Sequence, residues 1–336
     1  MVDAPLPAGI ALKDHKKDRI PILPLHGIDA NPQICFAFYW NNFEGFPILV
    51  SMDGVRIDSP TVADLRHLAE AGDSAALSRL SVSGVSIGAA VELACLYAAM
   101  PLQLRNVCDK WKASSTLLEK AFGAYESVEL PSKLDMWASR ALEFFPIRGP
   151  SWSDPIRYHP FESRFRKAAA DAGFGKKSVA LAGALFEMAD NVVQHGGNDS
   201  GSPPPGLIGY YICDGHVSFA IGDAGRGVLN SLRENPVWTG LENSKNALIA
   251  VVQNHASRRS MGGEGEGFKE LFRALANLNG LIQLRSGDGR IKISQIPAGR
   301  QAESQFTIPG PGLQLSVNCS LSGQPREEIF PLDYLT

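Results

Sequence analysis

Four short segments in the second half of the chain carry residue types that suit nucleotide chemistry. They are Glu187-Met-Ala-Asp-Asn191, Asp223-Ala-Gly-Arg-Gly227, Gly263-Glu-Gly-Glu-Gly267 and the segment 304–309. A carboxylate such as Glu187 can polarise a water molecule as a general base, and an amide oxygen such as that of Asn191 suits Mg²⁺, which prefers oxygen ligands. Each segment alone is weak evidence, but together they predict a nucleotide-binding site.

The first segment lies in a predicted helix that runs from Ser178, a plausible N-cap, to about His195. At about 100° per residue, Glu187, Asn191 and His195 fall on one side of this helix. The apolar positions fall on the opposite side: Val179, Ala182, Leu185, Phe186, Ala189, Val192 and Val193. A solvated polar face is the alternative interpretation of the three polar residues.

Asp223 ends a predicted strand, and its carboxylate can accept a hydrogen bond from an exocyclic amine. Gly225 and Gly227 would let the backbone approach a base, although an ordinary turn after a strand is the alternative. The glycines of 263–267 precede a predicted helix, whose N-terminal N–H groups can bind phosphate oxygens. For this segment, a flexible loop before a helix is the alternative.

The remaining elements of the second half predict an α+β fold. Leu207–Cys213 and His216–Gly222 flank Asp-Gly, which is typical of a hairpin. We also predict helices over 161–172 and 243–255. A further helix has Phe268, Leu271, Phe272, Leu275 and Leu278 on one face and Gly280 as its C-cap. Strands 281–285 and 290–296 form a second predicted hairpin around Ser-Gly-Asp-Gly, and strands 304–308 and 313–318 follow. This order favours a sheet with helices segregated on one face.

A proline-rich stretch, 144–160, predicts irregular structure and a domain boundary at about residue 150. Residues 1–150 are then an α/β N-terminal domain of unknown role, with a regulatory or interaction role as one option. We expect strands over 34–39 and 47–52 there, and helices over 62–80 and 89–100. The second domain is 151–336.

The composition excludes several classes of protein. The 336 residues are 44% hydrophobic and 20% charged, which is typical of a globular protein. A net charge of −3 argues against a nucleic-acid surface, and five scattered cysteines argue against a disulfide framework or a zinc site. The N-terminus lacks a signal peptide, and the apolar stretch 88–104 is too short to span a membrane. We expect a cytoplasmic protein that binds neither membrane nor nucleic acid.

The segments together resemble the GHKL superfamily of histidine-kinase-like ATPases. Glu187-x-x-x-Asn191 is similar to its N-box, Asp223-x-Gly225-x-Gly227 to its G1 box, and Gly263-x-Gly265-x-Gly267 to its G2 box. The resemblance covers about 160–320 and extends to stand-alone bacterial members. It implies a Bergerat fold for the C-terminal domain: an α/β sandwich with a mixed, mostly antiparallel sheet and helices on one face.

The resemblance also implies roles for the site residues. Glu187 becomes the catalytic base, Asn191 the Mg²⁺ ligand and Asp223 the adenine anchor, with ATP bound under a lid of about 226–262. The glycines of both boxes become phosphate and lid contacts. Thr307 is the candidate for the threonine of the last strands, because Gly312-Leu313 has leucine where the family usually has threonine. Glu264 and Glu266 also depart from the family pattern.

The expected cofactors are ATP and Mg²⁺, and the expected function is slow ATP hydrolysis or phosphoryl transfer to Ser or Thr of a partner protein. A non-catalytic ATP-sensing module, or a degenerate domain used for protein contacts, remains open, as does a homodimer. No phosphoacceptor-histidine helix is evident in the first half, so a sensor kinase is not expected.

Two other motifs resemble functional patterns, but we expect an ordinary structural role for each. Gly173-Phe-Gly-Lys-Lys-Ser178 lacks the first glycine of a P-loop. Gly84-Val-Ser86-Ile-Gly88 matches the nucleophile-elbow pattern, but the segment before it, 78–83, is a poor candidate for a buried strand. A turn of small residues before a helix is the interpretation that we prefer for this second motif.

Overall fold

The computed structural model describes residues 55–57, 62, 65–66, 82–127, 135–137, 140–148, 154–195, 206–213, 215–254, 256–257, 271–275, 278–296, 299–322 and 329–331. The predicted strands over 34–39 and 47–52 and the glycine segment 263–267 lie outside these residues.

The strands are β1 (Val55–Ile57), β2 (Val82–Ser86), β3 (Asp135–Trp137), β4 (Arg140–Ile147), β5 (Gly206–Cys213), β6 (His216–Asp223), β7 (Asn279–Ile296), β8 (Gly299–Ser320) and β9 (Ile329–Pro331). The helices are α1 (Ile87–Leu96), α2 (Leu102–Ser114), α3 (Thr116–Glu126), α4 (Pro155–Ala169), α5 (Lys177–His195), α6 (Gly227–Leu232) and α7 (Ser244–Asn254). Residues 271–274 are also helical.

The fold is α+β, built on a six-stranded sheet of order β3-β4-β5-β6-β8-β7. Every pair of neighbouring strands in this sheet is antiparallel. The expectation of a mixed sheet is therefore wrong for the described strands of this sheet. A separate three-stranded sheet pairs β1 parallel to β2 and β2 antiparallel to β9.

Helices cover both faces of the six-stranded sheet. One core forms where α4, α5 and α7 pack on a face that includes Phe145, Tyr210 and Phe219. These three helices of the second half share one face, as the sequence predicts. The other core forms where α1 and α3 pack on the opposite face, against Phe144 and Leu207.

Alternate residues of each strand supply the two cores, because side chains alternate between the faces of a sheet. The six-stranded sheet therefore has helices on both faces and not on one face alone. The second face is apolar over β4 and β5, so it needs its own cover, and the apolar helix α1 supplies that cover.

The proline-rich stretch is more regular than the sequence predicts. Strand β4 includes Pro146, which lies beyond the part of the strand that pairs with β3 and so needs no ladder hydrogen bond on that side. Helix α4 begins at Pro155, where a missing N–H costs nothing, and the Asp154 side chain accepts a hydrogen bond of 2.9 Å from the Ile156 N–H. The domain boundary at residue 150 stays a prediction, although β4, which precedes it, pairs with β5, which follows it.

The first predicted hairpin is confirmed, with Cys213 opposite His216 and a positive φ of 71° at Gly215. The second is wrong, because Ser286-Gly-Asp-Gly289 forms a bulge within the continuous strand β7. Long-range contacts explain the bulge. Asp288 accepts a hydrogen bond of 2.8 Å from the N–H of Ser244, and Gly289 lies against the Lys245 backbone, where a side chain would not fit.

Four local expectations also change. Strands 304–308 and 313–318 are parts of one long strand, β8, and Gly280 belongs to β7 instead of capping a helix. Ser178 lies inside the first turn of α5, where its hydroxyl donates to the Gly175 carbonyl, so it is not the N-cap. Val179, assigned to the apolar face, is 55% exposed.

Ser86 of the elbow-like motif is the N-cap of α1. It is fully buried, and its hydroxyl accepts a hydrogen bond of 3.1 Å from the Ala89 N–H. Its φ of −85° and ψ of 161° are ordinary extended values. Among the described residues, none of the helices has the length and apolar character required for a transmembrane span.

Candidate functional site

The Asp223 carboxylate lies at the end of β6 and is only 2% exposed. The alternation of β6 places it on the same face as Phe219 and Ile221, which is the face covered by α5 and α7. One carboxylate oxygen accepts a hydrogen bond of 2.7 Å from the N–H of Gly225, and the other accepts one of 3.2 Å from the N–H of Leu313. The carboxylate therefore ties its own turn to β8.

Burial raises the pKa of Asp223 to about 6, from an ordinary value of 3.8. The two backbone N–H donors, Gly225 and Leu313, act in the opposite direction because they favour the ionised form. A carboxylate accepts up to about four hydrogen bonds, so two acceptor positions remain for a ligand's donor.

The turn after Asp223 depends on two glycines. Gly227 has a φ of 76°, and a side chain there would approach the Ser286 hydroxyl. Gly312, opposite the turn, has a φ of 73°, and a Cβ atom there would lie 1.9 Å from the Asp223 carbonyl oxygen. The Gly312 N–H donates to the Gly225 carbonyl at 2.8 Å. The backbones of the turn and β8 are thus too close for side chains at these positions.

Ser286 fixes the same turn through two further hydrogen bonds. Its hydroxyl donates to the Gly312 carbonyl at 2.8 Å and accepts from the Val228 N–H at 2.9 Å. The start of α6 is thereby fixed to the bulge in β7. Sequence reasoning missed Ser286, although its place in a Ser-Gly-Asp-Gly run was a signal for unusual backbone structure.

Glu187 and Asn191 lie one turn apart on α5, and both are half-buried. The next residue after Asn191, Val192, packs beside Gly206, which is opposite Asp223 in the sheet. Helix α5 also contacts β6 and α6. The structure thus brings the Asn191 end of α5 to the same end of the sheet as Asp223.

In β8, the Leu313 N–H donates to the Asp223 carboxylate, and the Gln314 side-chain amide donates to the Asp223 carbonyl at 2.8 Å. Thr307 lies earlier in β8, between Phe306, which is opposite Gly289, and Gly310, which is opposite Gly287. Gly263, Gly265 and Gly267 lie outside the described residues. The expected lid of about 226–262 is described except for 255 and 258–262; it includes α6 and α7, and α7 packs on the sheet.

The residues at this end of the sheet are chemically suited to a magnesium nucleotide. Mg²⁺ keeps several waters and binds phosphate oxygens, so it needs few protein ligands. The amide oxygen of Asn191 fits that requirement, and the Glu187 carboxylate, one helical turn away, suits a general base. Within the described ranges there is no cluster of three or more His, Cys, Asp or Glu residues that could hold a metal ion alone.

Comparison with known proteins assigns no family to this chain: no family model matches it, and no match is found among curated proteins.

Proposed function

We propose that this chain binds Mg-ATP in a GHKL-type site at the end of the six-stranded sheet, with Asp223 as the residue that recognises adenine. The observation that carries the proposal is the Asp223 carboxylate. It is buried, fixed by two backbone N–H groups and able to accept further hydrogen bonds. A desolvated carboxylate that faces a base would select an exocyclic amine, because its charge is costly to bury without a donor.

The α4, α5 and α7 layer on an antiparallel sheet supports a Bergerat-type arrangement for the C-terminal part. In this arrangement, the nucleotide lies between α5, the turn 223–227 and a lid drawn from about 226–262, in which α7 stays packed on the sheet. The glycines Gly225 and Gly227 would contact the nucleotide through the backbone, and Gly263, Gly265 and Gly267 would contact the phosphates.

For catalysis, we propose that Glu187 accepts the proton of the attacking water or of a partner's hydroxyl group. Asn191 would hold Mg²⁺, which supplies charge neutralisation of the phosphates when bound. The products are then ADP and either inorganic phosphate or a phosphorylated Ser or Thr on a partner protein. The partner, the homodimer and the cytoplasmic location stay predictions.

A non-catalytic role is the second candidate, and one observation favours it. The Asp223 carboxylate is already engaged with Gly225 and Leu313, and Leu313 supplies no hydroxyl at the position beside it. A site of this kind can bind nucleotide weakly and act as a sensor, or serve only to hold the fold together.

Calorimetric titration with ATP and Mg²⁺ separates these candidates. We expect the wild type to bind and Asp223→Asn to lose at least about tenfold in affinity, because one hydrogen bond to a charged group is worth roughly 1.5–3 kcal/mol. Glu143→Gln is the matched control, since Glu143 is also buried in the sheet but is bonded to Tyr210 and Arg164. Absence of binding by the folded wild type would leave only the structural role.

A further inference from the structure

A second polar site lies on the other face of the six-stranded sheet, beneath α1. Its lining includes Gly88 and Glu92 of α1, Arg285 of β7, and Gln314 and Ser316 of β8. The cavity has a volume of about 20 Å³ and is partly open to solvent. The inner part therefore has room for only about one oxygen-bearing group.

The charge in this cavity is predominantly positive. Arg285 contacts Glu92, and both residues are buried at 6% and 1% exposure. Burial, and then the charges of Arg66 and Arg290, lower the pKa of Arg285 to about 9. Three guanidinium groups therefore lie near one another here, and Arg285 is the one that contacts Glu92.

Several buried polar atoms at this cavity lack hydrogen bonds. Nη1 of Arg285, Oε1 of Gln314 and Oγ of Ser316 have no hydrogen-bond partner among the residues that the structure describes, whereas Oε1 of Glu92 contacts Nη2 of Arg285. Leaving polar groups unsatisfied is costly. The atoms without a partner are a guanidinium N–H that needs an acceptor, an amide oxygen that needs a donor, and a hydroxyl that can serve as either.

We propose that this cavity binds the phosphoryl group of hydrogen phosphate or of a small phosphate monoester. Guanidinium groups pair with phosphate oxygens, and the first turn of α1, at Gly88, adds N–H groups that favour an anion. The O–H of a protonated phosphate donates to Oε1 of Gln314. A fully deprotonated sulfate has acceptor oxygens but no donor, so it leaves this acceptor unsatisfied.

The ligand enters from the side of the cavity that is open to solvent. Since the inner part accepts about one oxygen-bearing group, one edge of the phosphoryl group lies inside, and the rest faces the solvent. A free phosphate and a monoester present the same edge, and a monoester directs its organic group outwards. This site lies on the opposite face of the sheet from the one proposed for ATP, and the Gln314 amide joins the two because it donates to the Asp223 carbonyl at 2.8 Å.

The test is calorimetric titration of the full chain with inorganic phosphate, without Mg²⁺ or nucleotide, at constant ionic strength. We expect binding by the wild type and a roughly tenfold loss in Ser316→Ala, which removes one hydrogen bond to a charged ligand. Ser218→Ala is the matched control, because Ser218 lies on the same face but is bonded to Asn318 at 2.7 Å. Arg285→Lys should also weaken binding, since lysine lacks the planar fork.

Two further titrations identify the ligand. Sulfate should bind at least about tenfold more weakly than phosphate, and equal binding of the two would overturn the assignment of a protonated phosphate. A small phosphate monoester that binds more tightly than inorganic phosphate identifies a phosphorylated metabolite as the source, and weaker binding identifies free phosphate. No phosphate binding by the folded wild type, or equal losses in Ser316→Ala and Ser218→Ala, would overturn the proposal.

Discussion

The carboxylate of Asp223 and the backbone N–H of Leu313 are joined by a hydrogen bond of 3.2 Å, although the residues lie 90 positions apart. The same carboxylate also accepts from Gly225, so it fixes a turn of β6 against β8. This relationship gives Asp223 two roles, in folding and in the proposed recognition of adenine. The first prediction concerns the protonation of this group.

We predict that the burial of Asp223 makes the free energy of unfolding fall as pH rises from about 4 to about 6. The folded pKa of about 6 lies above the ordinary value of 3.8, so the folded state binds the proton more tightly in this window. The difference corresponds to roughly 3 kcal/mol. Urea unfolding at several pH values should show this component in the wild type, and Asp223→Asn should lack it. Parallel pH curves for the two proteins would contradict the prediction.

The close approach of Gly312 to Asp223 should make Gly312→Ala strongly destabilising. A Cβ atom there would lie 1.9 Å from the Asp223 carbonyl oxygen, at a φ of 73°. Gly215→Ala is the control, because its φ is 71° but no atom lies within 4 Å. It should cost only about 1–2 kcal/mol, and Gly312→Ala should cost at least about 2 kcal/mol more. Chemical denaturation measures both, and equal costs would show that the turn can move away.

Glu187→Gln should slow ATP hydrolysis by about 10²–10⁴-fold with little change in ATP affinity, because the amide cannot accept the proton. Asp190→Asn is the control, since Asp190 is a half-buried carboxylate of the same helix. Steady-state phosphate release and calorimetry together give the two quantities. If Glu187→Gln and wild type turn over at the same rate, the sensing role is favoured.

The contact between Glu92 and Arg285 should produce strong energetic coupling. Removing either partner leaves a buried charge less well compensated, at a cost of about 3–5 kcal/mol when no other partner compensates it. The double variant Glu92→Leu/Arg285→Met should be destabilised by less than the sum of the single variants, with a coupling of at least about 1.5 kcal/mol. Additive effects in urea unfolding would mean that Arg66 and Arg290 compensate Glu92 fully.

Local patterns were sufficient to predict α5, α7 and the hairpin of β5 and β6. The periodic apolar positions of α5 and the Asp-Gly turn act over a few residues, so they can be recognised without knowledge of the rest of the chain. The bulge at Ser286–Gly289 was missed because its form depends on Ser244 and Lys245. Turn-forming residues indicate a break in a strand but do not distinguish a hairpin from a bulge.

The candidate site was predictable where its residues are close in sequence. Glu187, Asn191 and Asp223 were selected from spacing and strand position, whereas the contact of Leu313 with Asp223 comes from the pairing of β6 with β8. The cavity beneath α1 was not anticipated, because Glu92 and Arg285 belong to distant elements. One signal was present: Glu92 is a charged residue within an otherwise apolar segment.

The most direct test of the central claim is the relative affinity of the protein for ATP and GTP. A carboxylate accepts from the exocyclic amine of adenine, while guanine places a carbonyl oxygen at the equivalent position. We predict that the wild type binds ATP at least about tenfold more tightly than GTP and that Asp223→Asn reduces this preference. Equal affinities for the two nucleotides, or a preference unchanged in Asp223→Asn, would contradict the assignment of Asp223 to adenine recognition.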